Sequence, residues 1–181
     1  MKDEIRNFAK DIGVDDIGFG SIENYNSPNT PPIKEIYSKA KIIIVLAFQQ
    51  LDNCESENIQ IASAGSKILS DFADSSTYKI ARFLKQEFKA TVISIPRMTP
   101  VNRDIKTGLP FADFSLRHAA VAAGLGCFGR HNIVIHPAMG TKVVFTAIVT
   151  DLNIEPDSPI EDQDNKKKFS FGKFNHISFR N

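Results

Sequence analysis

The sequence has few of the features that mark secreted or membrane proteins. Its 181 residues include only two cysteines, Cys54 and Cys127, a number that fits a reducing cytoplasm with both thiols reduced. The longest apolar run, 42–48, is far shorter than the roughly 20 residues of a membrane helix, so no membrane association is expected. The N-terminus carries acidic residues and no apolar run, which argues against a signal peptide.

The chain also lacks an excess of charge of either sign. Its formal net charge is +1, so no overall field attracts nucleic acid or anionic membrane, and a nucleic-acid partner is not expected. Hydrophobic residues make up 42% of the sequence and charged residues 24%, as in ordinary globular proteins. A chain of this size buries roughly two-thirds of its surface on folding, so it needs no disulfide or metal to fold.

Hydrophobic periodicity predicts alternating helices and strands. The predicted helices cover 2–13, 57–72, 76–89 and 115–123, and the predicted strands cover 16–21, 41–48, 91–95, 132–136 and 142–150. The run 41–48 is apolar throughout, which predicts a central strand buried on both faces. Because segment 96–114 shows no periodicity, it is expected to be functional or disordered. The pattern predicts an α/β or α+β sandwich with helices on the faces of the sheet.

The composition changes after Asp157. A charge run is followed there by aromatic and polar residues without a clear period. Such a segment offers little apolar surface to bury. We therefore predict one domain over 1–157 and a poorly ordered or degenerate C-terminal tail over 158–181.

The segment 113–157 carries the strongest indications of function. A helix of small residues, which can pack very closely against a neighbour, ends in three glycines within six positions: Gly124, Gly126 and Gly129. Glycines at this density let backbone N–H groups approach a ligand. Residues 130–132 (RHN) follow, and their side chains can bind phosphate, amide or carboxylate groups. A helix cap followed by a turn is the commoner structural explanation of such glycines. A dinucleotide loop is rejected, since its glycines would open a helix and not close one.

Several motifs, taken in order, resemble a known family. Arg117, AAGLG, FGRHN, HPAMGT and TDLNIEPD are similar to the core of the epoxyqueuosine reductase and reductive dehalogenase family, and specifically to its N-terminal cobalamin-binding domain. The upstream DIGFGS, SKAKIIIVLAF and TYKIARFLKQEFKATVISIP segments fit as well, so the resemblance covers roughly residues 1–160. It is closer to an uncharacterised branch than to the tRNA-modifying enzymes. It implies a nitroreductase-like sandwich with a central mixed sheet, and an oxidoreductase-type domain that binds a corrinoid.

The resemblance also implies a set of site residues around the glycine turn. The residues expected to bind cobalamin are Arg117, Gly124, Leu125, Gly126, Gly129, Arg130 and Asn132. The acidic proton donor of the family falls near Pro110 in this sequence, and Asp113, three residues later, is the candidate catalytic residue. Spacing alone does not distinguish a corrin from a flavin. A flavin-binding protein and a non-catalytic interaction module of the same fold therefore stay as alternatives.

The sequence departs from the family in its cysteines. In the family, a Cys-x2-Cys-x2-Cys-x3-Cys run that ligates an iron–sulfur cluster follows the motif that reads TDLNIEPD here, whereas no cysteine follows Cys127 in this sequence. We therefore expect a domain truncated before its iron–sulfur domain, without a cluster in this chain and dependent on an external electron donor, for which a separate iron–sulfur protein is a candidate. The four histidines show no zinc-binding spacing, so no metal site is predicted.

Overall fold

The computed structural model describes residues 1–28, 30–97, 102–103 and 110–160, which contain both helices and strands. The helices are α1 (Lys2–Asp11), α2 (Ile33–Ile36), α3 (Ile59–Phe88) and α4 (Leu116–Ala122), and a 3-10 turn covers Asp52–Glu55. The strands are β1 (Asp16–Ser21), β2 (Ile42–Gln49), β3 (Val92–Ile95), β4 (Asn102–Arg103), β5 (Pro110–Phe111), β6 (Cys127–Phe128), β7 (Val134–Ile135) and β8 (Val143–Thr150). No helix in these ranges combines the length and apolar composition that crossing a bilayer requires.

The main sheet has four strands in the order β1-β2-β8-β3. All three pairings in it are antiparallel, so the expected mixed sheet is replaced, within the described residues, by an antiparallel one. The predicted sandwich is confirmed, because α1 and α3 pack on one face of the sheet and α4 on the other. Strands β4 and β5 form a separate two-stranded ribbon, and β6 pairs with β7 in another. Most of the predicted irregular segment 96–114 lies outside the described residues.

Strand β2 is buried on both faces, as its continuous apolar run predicts. Its even-numbered residues, from Ile42 to Phe48, pack in a core with α1 and α3. Its odd-numbered residues, from Ile43 to Ala47, pack in a second core with α4. Side chains of a strand alternate between the two faces of its sheet, so an apolar residue is needed at every position of a strand covered on both sides.

Helix α3 is one continuous element of 30 residues, and the prediction of two helices over 57–72 and 76–89 is wrong. The polar stretch 74–77 suggests a break in the sequence, but Ser75 is exposed and the buried Thr77 hydroxyl is hydrogen-bonded inside the fold. Thr77 Oγ1 donates to the carbonyl of Ala73 at 2.7 Å and lies 2.5 Å from Thr146 Oγ1 in β8. A hydroxyl that bonds to the carbonyl four residues earlier can be buried without interrupting the helix.

Helix α4 packs so closely against β1 that the two backbones are in contact. A Cβ atom on Gly20 would lie 3.0 Å from the backbone of Ala122 and Ala123, and one on Gly18 would collide with the carbonyl oxygen of Ala123. The close packing predicted for the small-residue helix is therefore made against β1. It places the end of α4 directly over β1.

The segment after β8 runs back along β1. The backbone N–H of Asp157 donates to the carbonyl of Phe19 at 2.6 Å, and the N–H of Phe19 donates to the Asp157 carboxylate at 3.0 Å. Leu152 and Ile154 are buried beside this edge of the sheet. The predicted boundary at Asp157 thus falls on a residue bonded to β1. Of the predicted tail over 158–181, the part from residue 161 onward lies outside the described residues.

Candidate functional site

The candidate site begins at α4 and the turn that ends it. Ser115 caps α4, and its hydroxyl oxygen accepts the N–H of His118 at 3.5 Å, as its position before an apolar helix predicts. Gly124 adopts a left-handed φ of +71°, and its N–H donates to the carbonyl of Val121 at 3.1 Å. The first glycine of the turn is therefore the left-handed residue directly after the C-cap Ala123, a position for which glycine is suited because it carries no Cβ.

A short hairpin follows, formed by β6 and β7. At its tip the N–H of Gly129 donates to the carbonyl of Ile133 at 2.8 Å, and the N–H of Asn132 donates to the carbonyl of Gly129 at 3.0 Å. Asn132 has φ of +60°, a left-handed conformation that asparagine tolerates better than most residues. The side chains of Arg130, His131 and Asn132 are exposed at this tip. The predicted strand over 132–136 is thus reduced to Val134–Ile135.

The structure brings two of the predicted site residues into contact. The Arg117 guanidinium on α4 donates to the backbone carbonyl of Asn132 at 2.5 Å. An open, mostly apolar groove of about 260 Å³ lies beside this contact. The groove is lined by Arg97, Leu116, Arg117, Ile133, Val134, Val143, Val144 and Phe145. Two arginines, Arg97 and Arg117, therefore border an apolar surface, a composition found in small-molecule sites.

His118 lies on α4 next to Arg117. Its ring packs against Phe128 of β6 with 4.8 Å between centroids, and its Nδ1 lies 2.8 Å from the hydroxyl oxygen of Ser115. Burial, and then the positive charge of Arg117, lower the pKa of His118 below its usual value. Lowering the pKa favours the neutral imidazole at neutral pH. The cationic groups on this face therefore include Arg97, Arg117 and Arg130, whereas His118 favours the neutral form.

The candidate catalytic residue, Asp113, is exposed between β5 and α4. Its neighbour Phe114 is buried, and the Phe114 ring stacks on Tyr25 with 5.1 Å between centroids. The Tyr25 hydroxyl accepts the N–H of Ser115 at 2.7 Å and lies 3.1 Å from Thr30 Oγ1. The loop after β1 thus holds the chain on the C-terminal side of Asp113.

We expect Tyr25→Phe to lower the free energy of unfolding by about 1 kcal/mol, because it removes an acceptor from the Ser115 N–H but keeps the ring stack. Tyr78→Phe is the matched control, since Tyr78 is 61% exposed on α3 and its change should be nearly neutral. Urea unfolding of both variants measures the difference. Equal costs at the two positions would show that the hydroxyl of Tyr25 contributes nothing to holding α4.

The chain itself occupies the space next to two of the predicted ligand-binding glycines. A Cβ on Gly124 would lie 2.6 Å from the carbonyl oxygen of Ser158, and one on Gly126 would lie 2.5 Å from that of Ile135. The side chain of Leu125 is buried in the core beneath α4. These three residues shape the turn from within, whereas Arg117, Arg130 and Asn132 are exposed on the surface.

The sequence does not indicate two residues that line the groove, Arg97 and Ile133. Arg97 follows the end of β3, and its guanidinium donates to the hydroxyl of Ser70 in α3. Ile133 is 46% exposed and contributes apolar surface to the groove. In the sequence, the only indication of this apolar contribution to the groove is that an apolar residue follows the polar segment 130–132.

The comparisons with known proteins agree with this architecture. No protein-family model matches the chain. The chain is 25% identical, over 187 aligned positions, to epoxyqueuosine reductase of Bacillus anthracis, and 24% identical, over 195 positions, to that of Bacillus subtilis. Each alignment covers 90% of this chain, and 48% and 47% of the respective relatives. The predicted resemblance to epoxyqueuosine reductases is confirmed. The chain spans about half the length of the curated relatives it matches.

Solved structures show the same fold. An epoxyqueuosine reductase crystallised with an epoxyqueuosine-modified tRNA stem loop superposes with a TM-score of 0.57 at 20% identity, covering 88% of this chain and 48% of that one. A reductive dehalogenase whose structure suggests a mechanism for B12-dependent dehalogenation gives a TM-score of 0.60 at 16% identity. That alignment covers 87% of this chain and 22% of the dehalogenase. The predicted similarity in fold to both groups is confirmed.

Proposed function

We propose that this chain is a reductase-like domain that binds a corrinoid against the surface formed by α4 and the tip of the β6–β7 hairpin. The observation that carries the proposal is the contact between Arg117 and Asn132 beside an apolar groove, with Arg130 exposed at the same tip. The resemblance to epoxyqueuosine reductases and the B12-dependent chemistry of the dehalogenase support it.

The exposed residues suit a corrinoid in their chemistry. A corrin carries amide side chains around an apolar macrocycle, so its edge needs hydrogen-bond donors and acceptors, and its face needs apolar contact. Arg117, Arg130 and Asn132 would supply the polar contacts, and Ile133 and Leu116 the apolar ones. The groove of about 260 Å³ is smaller than the ring, so this chain would cover only part of the ligand. Gly124, Leu125 and Gly126 would support the turn, and Gly129 would support the tip, because its N–H already donates to the carbonyl of Ile133.

Catalysis would require groups beyond the ligand surface. Bound cobalamin would supply the redox chemistry, while the protein would supply orientation and a proton. Asp113, exposed before α4, is the proposed proton donor. The 181 residues contain two cysteines, and a cluster needs four thiolates, so the electrons would come from an iron–sulfur donor outside these residues.

Titration with hydroxocobalamin tests the proposal. We expect the corrin absorption bands to shift with a dissociation constant in the micromolar range. The double variant Arg130→Ala, Asn132→Gly should bind roughly tenfold to a hundredfold more weakly, about 1–3 kcal/mol, because polar groups of the ligand lose their partners. Glycine is chosen at position 132 because it tolerates the left-handed φ of +60°.

Arg82→Ala is the matched control, since it removes an exposed arginine from α3, on the opposite face of the sheet. A flat titration at saturating corrinoid, with folding verified by circular dichroism, would contradict the proposal and favour an interaction module. Tight binding of flavin mononucleotide with no uptake of corrinoid would replace the proposed ligand by a flavin.

A further inference from the structure

His136 is buried at the end of β7 and bridges two parts of the fold. It is 3% exposed, and both of its ring nitrogens have protein partners. Its Nδ1 accepts the backbone N–H groups of Ala138 and Met139 at 3.2 and 3.3 Å. Its Nε2 lies 3.1 Å from Oδ2 of Asp16, at the start of β1. One side chain thus closes the turn after the hairpin and reaches the main sheet.

These partners determine the tautomer of the ring. Because Nδ1 accepts N–H groups, it carries no hydrogen, so the proton of the neutral imidazole is on Nε2 and points to Asp16. Burial alone would raise the pKa of Asp16, but hydrogen bonds from His136 and from the N–H of Ile17 outweigh it and lower the pKa. Asp16 is therefore a carboxylate that accepts a directional bond from the hairpin.

The same partners exclude other uses of this histidine. Neither ring nitrogen is left to bind a metal or to exchange a proton with a substrate. Asp16, in contrast, is 44% exposed, so the bond is accessible from the side of β1. The bond connects elements that do not pair as strands in the described structure, since β1 pairs with β2 and β7 with β6.

We infer that His136 is a positioning residue for the ligand surface, acting through Asp16. The tip of the hairpin carries Arg130 and Asn132, and its contact with α4 through Arg117 lies in solvent. The partly buried bond at the base of the hairpin sets the angle of the hairpin against the sheet. It thereby places the tip beside Arg117. The consequence for ligand binding rests on the proposed function, whereas the orientation of the tip does not.

His136→Asn tests the inference in the full chain. The asparagine carbonyl can accept the N–H two residues on, as in an Asx turn, but its side chain is too short to reach Asp16. We expect the amide resonances of Gly129 and Asn132 to shift in ¹⁵N–¹H spectra, while those of α3 stay in place. We also expect hydroxocobalamin to bind about tenfold more weakly. His136→Gln carries an amide donor close to the Nε2 position, so its tip amides should shift less than those of His136→Asn. It should also bind hydroxocobalamin more tightly than His136→Asn does.

Asp16→Ala removes the same bond by deleting the exposed carboxylate that accepts it. This variant tests the role of the bond if the His136→Asn protein does not fold. Asp15→Ala is its matched control, because Asp15 accepts the N–H of Gln49 at 2.7 Å and has no part in the bond to the hairpin. A folded His136→Asn or Asp16→Ala protein with unshifted tip amides would overturn the inference. If the unmodified chain binds no corrinoid, the proposed function fails, and the amide shifts alone decide the role of His136.

Discussion

Gly126→Val should destabilise the protein strongly in the absence of any ligand. We expect a loss of about 3 kcal/mol or more in the free energy of unfolding, because insertion of side-chain atoms into packed structure forces the backbone to move. A Cβ at this position would lie 2.5 Å from the carbonyl oxygen of Ile135 and 2.8 Å from a methyl carbon of Val134. Gly126 is not in a left-handed conformation, so the cost comes from the contact with β7 and not from backbone strain.

Gly140→Ala is the matched control for this prediction. Gly140 has φ of +61° but no atom within 4 Å of its Cβ position, so alanine there should cost only the left-handed strain, roughly 1–2 kcal/mol. Urea unfolding followed by circular dichroism compares the two variants. A Gly126→Val protein as stable as the unmodified chain would show that the β6–β7 hairpin does not pack as described.

For the glycine turn, the sequence predicts a close approach of the backbone but not the group that the backbone approaches. Three glycines after a small-residue helix do predict a close approach of the backbone. The structure shows that Gly124 and Gly126 approach the chain itself, at Ser158 and Ile135. Ser158 lies 34 positions after Gly124, and local sequence contains no sign of such a contact. Periodicity reports which residues are buried along an element, but not which distant segment covers them.

The fold is predictable where burial alone determines the element. Strand β2 needs apolar residues on both faces, and its sequence contains them. Strand β8 and helix α4 are also predicted correctly, because their buried apolar residues are visible in the sequence. Helix α3 is mispredicted because the stretch 74–77 looks like a polar break, whereas Thr77 satisfies its hydroxyl within the helix and against Thr146. The pairing direction of the sheet depends on the connections between strands, which composition does not specify.

The candidate site is predictable to the extent that it is local. Arg117, Arg130 and Asn132 lie within 16 positions of one another in the sequence, and the structure keeps them on one surface. The bond between His136 and Asp16 joins residues 120 positions apart. No periodicity or motif links the two, so only the folded chain reveals it. Arg97, after the end of β3, also lines the groove through folding alone, because no sequence pattern links it to α4.

Asp157→Ala should cost about 2–4 kcal/mol of unfolding free energy, because it removes a charged acceptor from several donors at once. The carboxylate accepts the N–H of Phe19, pairs with Arg6 at 2.9 Å and with Lys2 at 2.8 Å, and its side chain is 26% exposed. These bonds hold helix α1 and the C-terminal segment to the outer edge of β1. Without them, the N–H of Phe19 would lose its acceptor and the two cations their partner.

Asp157→Asn separates charge from hydrogen bonding at this position. Its side-chain carbonyl can still accept the N–H of Phe19, so we expect about half of the loss seen with alanine. The difference between the native chain and the asparagine variant should shrink at high salt, because ion pairs near the surface are screened. A chain ending at Ile160 serves as the control, since it keeps every described bond of Asp157 and should melt within a few degrees of the full chain. If the alanine variant proved as stable as that control, Asp157 would not be what holds the C-terminal segment to β1.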